Sequence, residues 1–152
     1  MDNKLYYEDF EIGQQLRSPR SYTVTKDNAI RFATEYDPQV MHLDEVKAKD
    51  SIFGELVISG WHTSAISMRL KTETDLGRVA GGLVGMGLEN IGWPQPVKPG
   101  DSLHIVITII EKRLSNSRPG KGIIKYRAET YNQHDALVME MVTAVLVPRR
   151  QA

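Results

Sequence analysis

After Gly81 the chain is written almost entirely as strand and turn, and this run constrains the fold more than any other feature. Leu83 to Ile91 alternates glycine with larger side chains, which admits a neighbouring backbone at close range. After the turn-rich segment WPQPVKPGD, the stretch Ser102 to Glu111 sets Leu103, Ile105, Ile107 and Ile109 on one face. SNSRPGKG forms a loop. Ile123 to Tyr131 then opposes Ile124, Tyr126 and Ala128 to Lys125, Arg127 and Glu129, NQHD turns again, and Leu137 to Val147 completes the set. Consecutive strands joined by short turns predict an antiparallel meander, and its apolar face needs a cover.

The cover is supplied just upstream by WHTSAISMRLKTETDLGR, the longest helical pattern in the chain. Its apolar positions Trp61, Ala65 and Met68 recur at helical spacing, and its Ser, Thr and Ala residues let a sheet wrap closely. A helix of about 16 residues would be about 24 Å long, and Gly77 is placed to cap it. Ahead of it, Gln15 to Val24 is a strand candidate broken by Pro19, and so irregular or at an edge. Thr25 predicts an N-cap for a helix with Ile30 and Ala33 on one face, ended near Asp37-Pro38 because a residue before proline is pushed out of the α region. Asp44 to Ala48 reads as a further short helix. The element order predicts an α+β fold of one domain spanning residues 1–152, an antiparallel sheet wrapped around a long central helix. One helix covers one sheet face only, so exposed strand edges predict a homodimer.

Composition narrows the function classes. The 152 residues carry 19 Lys and Arg against 19 Asp and Glu, with no dominant basic block, which argues against nucleic acid or an anionic membrane as partner. Cysteine is absent, which removes disulfides and thiolate chemistry. The opening MDNKLYYEDFEIG is acidic and polar, unlike a signal peptide, and no apolar run approaches the roughly 20 residues that span a bilayer. A cytoplasmic location is therefore expected. The histidines lack metal-site spacing with a third ligand nearby, so no metal is expected.

Chemistry concentrates between Tyr36 and Thr63. Asp37 and His42 lie five positions apart, and a carboxylate and an imidazole held by one tight loop can share a water molecule. Ser59-Gly60 then leads into the long helix, where the Gly60 amide can face a growing negative charge. Taken alone, an Asp and a His at this spacing are also explained by an Asp side chain bonding its own loop backbone.

Four segments carry a resemblance over nearly the whole chain, from about Tyr7 to Val147: FATEYDPQVMHLD, SGWHT, PVKPGD before a strand, and SRPGKGIIKYRAETYNQ. Together they resemble the MaoC-like dehydratases, the hot-dog-fold family that includes R-specific enoyl-CoA hydratases. That family's loop is usually Asp-x-Asn-Pro-x-His. Here the Asp and His spacing is kept, with Gln39 and Val40 at the usual asparagine and proline and a proline at Pro38 instead. The resemblance implies a hot-dog fold, with Asp37 and His42 as the catalytic pair holding one water and the Gly60 amide as oxyanion donor. It further implies Ser59, Trp61 and His62 beside the substrate, where Ser59 replaces a histidine found in many relatives. The implied substrate is a 2-enoyl or 3-hydroxyacyl thioester of coenzyme A or an acyl carrier protein, with coenzyme A present only as part of the substrate and no other cofactor.

Blander assignments cover the remaining candidates. His104 and His134 are given no role, and His62 reads more simply as a partly buried, hydrogen-bonded histidine. Arg69, Arg118 and Lys121 could meet coenzyme A phosphates but are also ordinary solvated charges. The same scaffold serves thioesterases, many of which carry a carboxylate on the central helix; here Glu73 and Asp75 stand only towards its far end. A third reading keeps acyl-thioester binding without turnover.

Overall fold

A computed structural model describes residues 3–151. Two short strands open the chain, β1 (Gln15–Arg17) and β2 (Tyr22–Thr23). Then come the helices α1 (Lys26–Tyr36), α2 (Val40–Leu43) and α3 (Gly60–Thr72) and the long strands β3 (Val84–Gly92), β4 (Ser102–Leu114), β5 (Lys121–Tyr131) and β6 (Leu137–Pro148). Single 3-10 turns at Tyr7–Asp9, Lys47–Asp50 and Asp75–Arg78 fill the connections. The interruption expected at Pro19 is present, since β1 and β2 pair separately with β4. The Thr25 hydroxyl caps α1 by accepting the Asn28 N–H at 3.2 Å. The buried face of α1 is Ala29 and Ala33, with Ile30 half-buried.

The sheet is antiparallel in the order β1-β4-β5-β6-β3, with β2 also on β4. β4, β5 and β6 form the expected meander, but β3 is not its first member: it crosses to the far side and pairs with β6. Residues 93–101 make that crossing. Val97 is buried and its carbonyl accepts the Ile58 N–H at 2.8 Å, which anchors the connection beneath the helices and away from a hairpin path. The inward faces of β4 and β5 follow the sequence alternation. Leu103, Ile105, Ile107, Ile109, Ile124, Tyr126 and Ala128 all join one core with Phe10, Ile66 and Leu70.

α3 supplies that core with an unexpected face. It is 13 residues long, and Trp61, Ala65 and Met68 look outward while Thr63, Ile66, Ser67, Leu70 and Lys71 are buried. The polar members tolerate burial because their groups are satisfied. Ser67 Oγ donates to the Thr63 carbonyl at 2.8 Å and lies 2.7 Å from Thr130 Oγ1, and Lys71 Nζ donates to the Tyr126 hydroxyl at 2.8 Å. The small Thr63 and Ser67 let the sheet approach between Ile66 and Leu70, and the stripe of Trp61, Ala65 and Met68 is left for the outside. Gly77 does not cap α3, which ends on Glu73. It lies in the following 3-10 turn, packed against the helix's last carbonyl: a Cβ there would stand 1.8 Å from the Thr72 oxygen. This antiparallel sheet around one long helix is the hot-dog arrangement. Among the described residues no helix is long and apolar enough to cross a membrane.

Candidate active site

The site begins where α1 stops. Pro38 forces Asp37 out of helical geometry, to φ −151° and ψ 69°, while the Asp37 N–H still closes the last turn on the Ala33 carbonyl at 2.9 Å. The chain then recoils at once. Gln39 starts the one-turn helix α2, so His42 rides on a helical turn where the sequence suggested a plain loop. The Gln39 carbonyl closes this turn by accepting the His42 N–H at 2.9 Å.

Two anchors aim the His42 ring. Its Nδ1 lies 2.7 Å from the Val57 carbonyl, and its Nε2 lies 3.4 Å from Asp37 Oδ2. A carbonyl can only accept, so in the neutral ring Nδ1 carries the proton and Nε2 presents a lone pair. Val57 is itself held in place, as its N–H reaches the Met41 carbonyl at 3.1 Å within the buried segment Leu56-Val57-Ile58.

Ser59 joins this pair to the central helix. It caps α3 by accepting the Trp61 N–H at 3.2 Å and donates its hydroxyl to Asp37 Oδ2 at 2.7 Å. Gln39 Nε2 donates to the other carboxylate oxygen at 2.6 Å. The Ser59 hydroxyl is the main reason that Asp37 is held below the usual carboxylate range; partial burial opposes it, and Gln39 and the nearby His42 add to it. Asp37 is thus a carboxylate at neutral pH. It accepts hydrogen bonds from its fixed donors and faces a second acceptor in Nε2.

Gly60 is the first residue of α3, where an amide has no intrahelical carbonyl to meet and the helix dipole is positive. Its bare α-carbon admits Trp93: a Cβ would stand 2.9 Å from the indole. Trp61 meets Trp93 edge-on, with ring centroids 5.3 Å apart. Asp37, His42, Gly60, Trp61 and Trp93 line one cleft of about 360 Å³, walled on the far side by Pro94 to Val97.

Trp93, Gln39 and Met41 are cleft residues that the sequence reading did not single out as site residues. The proline-flanked Trp93 was the available signal, though its contact with Gly60 joins segments far apart in the chain. His62 is placed elsewhere. It is buried, stacks on Phe32 at 4.6 Å, and lines a separate hollow with Asn28, Arg31 and Glu35 between α1 and α3. Burial pushes its pKa down, and its Nδ1 has no hydrogen-bond partner among the described residues. Arg69, Arg118 and Lys121 do not line the cleft either. Arg69 is paired with Glu73 at 2.8 Å. Among the described residues no group of three or more acidic or histidine side chains is placed to hold a metal ion.

Comparison with known proteins bears on the fold and the family. The model of the MaoC-like domain matches residues 9–132. A MaoC-like dehydratase from Rhodospirillum rubrum is 40% identical and superposes with a TM-score of 0.90 over 97% of this chain and 99% of that one. The uncharacterized protein YdeM of Bacillus subtilis is 35% identical over 143 residues, 93% of this chain and 98% of the relative. An R-hydratase from Pseudomonas aeruginosa, only 20% identical, shares the fold with a TM-score of 0.75 over 97% of this chain and 88% of that one. The chain therefore belongs to the MaoC-like domain family.

Proposed function

We propose that this protein is a hydratase/dehydratase that interconverts a 2-enoyl thioester and a 3-hydroxyacyl thioester, carried on coenzyme A or an acyl carrier protein. The observation that carries this reading is the opposition of two acceptors, Asp37 Oδ2 and His42 Nε2, at 3.4 Å. They have no proton to share when the ring is neutral and the carboxylate ionised. One water that donates an O–H to each satisfies both, and its lone pairs are left for C3 of the enoyl group.

In the hydration direction the water oxygen bonds to C3 as the pair accepts its proton. Electron density moves through C2 onto the thioester oxygen, where the Gly60 amide and the N-terminal end of α3 oppose the charge. The pair returns a proton to C2, and the sum is one water added. Asp37 remains close enough to stabilise the imidazolium formed when Nε2 takes the proton. A thioesterase reading gains nothing from Glu73, whose carboxylate is tied by Arg20 and Arg69 at 2.8 Å and held at about 2 by them.

The test is a panel of 2-enoyl-CoA thioesters, crotonyl-CoA first, followed by loss of the conjugated-thioester absorbance and in parallel by thiol release. Loss of absorbance without free thiol is the expected result. Stoichiometric thiol release would replace this reading with hydrolysis.

The Ser59 hydroxyl sets a pH prediction. Its bond favours the ionised carboxylate, so Ser59→Ala raises the Asp37 pKa and moves the acid limb of kcat/KM to higher pH. A depressed folded pKa also contributes stability above the unfolded value that is lost as pH falls through the folded one, and part of that is lost in the variant. An acid limb that stays in place would show that Asp37 is not the group being titrated.

The protein acts as a homodimer in this proposal, joined along β3. That strand pairs only with β6 among the described strands, and it exposes Val84, Met86 and Leu88. An unpaired edge with exposed apolar side chains is a template for a second copy. Sedimentation equilibrium should find a dimer, and Met86→Lys with Leu88→Lys should shift it to monomer. A dimer unaffected by both lysines would place the interface elsewhere.

A further inference from the structure

At the other end of α3 from the Asp37 cleft, a second cavity of about 470 Å³ opens under β3. This falls within the roughly 300–1,000 Å³ of small-molecule sites. Its walls are mostly apolar, from Met68, Leu76, Leu83, Leu88, Met141 and Val145, and Lys71 and Tyr126 stand in its lining. Lys71 is only 4% exposed, and among the described residues its Nζ hydrogen-bonds one group, the Tyr126 hydroxyl at 2.8 Å. No carboxylate among the described residues forms an ion pair with it.

The other hydroxyls of the lining are already committed. Thr143 Oγ1 donates to the Gly87 carbonyl at 2.5 Å and Thr72 Oγ1 to the Arg69 carbonyl at 2.7 Å. An ammonium has three donors and no acceptor, and a tyrosine oxygen that accepts one of them still has its own O–H to give. The cavity therefore holds a concentrated set of unspent donors and a positive charge with apolar walls around them. Burial pushes the Lys71 pKa down, as expected for a cation with no counter-ion.

We propose that this cavity binds a carboxylate carried at the end of an apolar chain, with Lys71 Nζ as its counter-ion, Tyr126 OH as a further donor and the hydrophobic walls holding the chain. The charge-assisted bonds offset the desolvation of both ions, and a chain of methylenes replaces water against the leucines and methionines. Two sources share this chemistry: the far, ω-carboxylate end of the acyl group on the thioester, and a separate medium-chain carboxylic acid. The first deepens the hydratase reading and rests on it; binding in the cavity does not.

Calorimetric titration of the full-length protein with decanoate and with decanol isolates the charge, since the two differ at one end only. Decanoate should bind at least about tenfold more tightly, the scale of one charge-assisted hydrogen bond. Lys71→Met, which replaces a buried cation with an apolar chain of similar length and so should fold, should remove that preference, and Tyr126→Phe should weaken it. Equal affinity for acid and alcohol, or a preference that survives Lys71→Met, overturns the proposal, as does no binding of decanoate.

Kinetics then separate the sources. If the ω-carboxylate of the substrate is the occupant, the ratio of kcat/KM for an ω-carboxyacyl over the ω-methyl enoyl thioester falls about tenfold or more in Lys71→Met. A ratio that does not move while decanoate binding is lost assigns the site to a separate acid. Protein that binds decanoate through Lys71 but turns over no enoyl thioester leaves this site standing and overturns the hydratase reading alone.

Discussion

Asp37→Asn and His42→Ala are each expected to lower enoyl-thioester turnover by about 10²–10⁴-fold, the usual worth of a positioned acid/base group. The asparagine is the cleaner of the two. It keeps the shape: its oxygen at the Oδ1 position still accepts from Gln39 Nε2, and its NH2 at the Oδ2 position meets a Ser59 hydroxyl that can turn to accept, so the loop should hold. What it loses is an anionic acceptor beside Nε2, and its amide can donate to that lone pair and displace the water. Removing His42 also strips the buried Val57 carbonyl of its partner, which costs about 1–3 kcal/mol. Steady-state kinetics should therefore be paired with thermal melts. A fall in rate with an unchanged melting temperature in Asp37→Asn assigns the residue to the chemistry. A loss below about tenfold would remove Asp37 from it.

Gly77→Ala should destabilise the protein by about 3 kcal/mol, lowering Tm by roughly 10 °C. The reason is steric and involves backbone alone. The new methyl would stand 1.8 Å from the Thr72 oxygen and 2.6 Å from the Thr72 carbonyl carbon, so no rotamer change can relieve it. Either the end of α3 or the 3-10 turn Asp75–Arg78 must move, and Leu76 in that turn is fully buried in the core. Calorimetry reads the result directly. A Tm within about 2 °C of the parent would mean that the turn shifts freely and that its packing on α3 contributes little.

Much of the candidate site was legible because its parts are local. The five-residue interval from Asp37 to His42 needs only a helix end and one tight turn to bring the two side chains together, and Pro38 supplies the helix end. The Ser59 cap is local in the same way, since capping is a contact between near neighbours in sequence. Its second bond, to a carboxylate 22 residues earlier, was not readable. The same holds for Trp93 over Gly60, for Lys71 facing an apolar cavity, and for His62 turned towards α1 and away from the cleft.

The helix shows the limit most clearly. Hydrophobic spacing along α3 marks Trp61, Ala65 and Met68, yet the sheet takes the opposite face, where Thr63, Ser67 and Lys71 are buried beside Ile66 and Leu70. That choice depends on whether Thr130 and Tyr126 stand across from Ser67 and Lys71 to satisfy them, and those partners are more than fifty residues away in the chain.

By itself the sequence determined what repeats over a few residues: the inward faces of β4 and β5, the breaks at Pro19 and Pro38, the cap at Thr25, and the spacing of Asp37 and His42. Alternation and turn chemistry act between neighbours and need no partner. Only the tertiary structure decided that β3 joins β6, which face of α3 is buried, and which side chains share a cleft. Those outcomes rest on contacts between distant segments, where burial is favourable only if the opposing surface offers matching shape and hydrogen bonds.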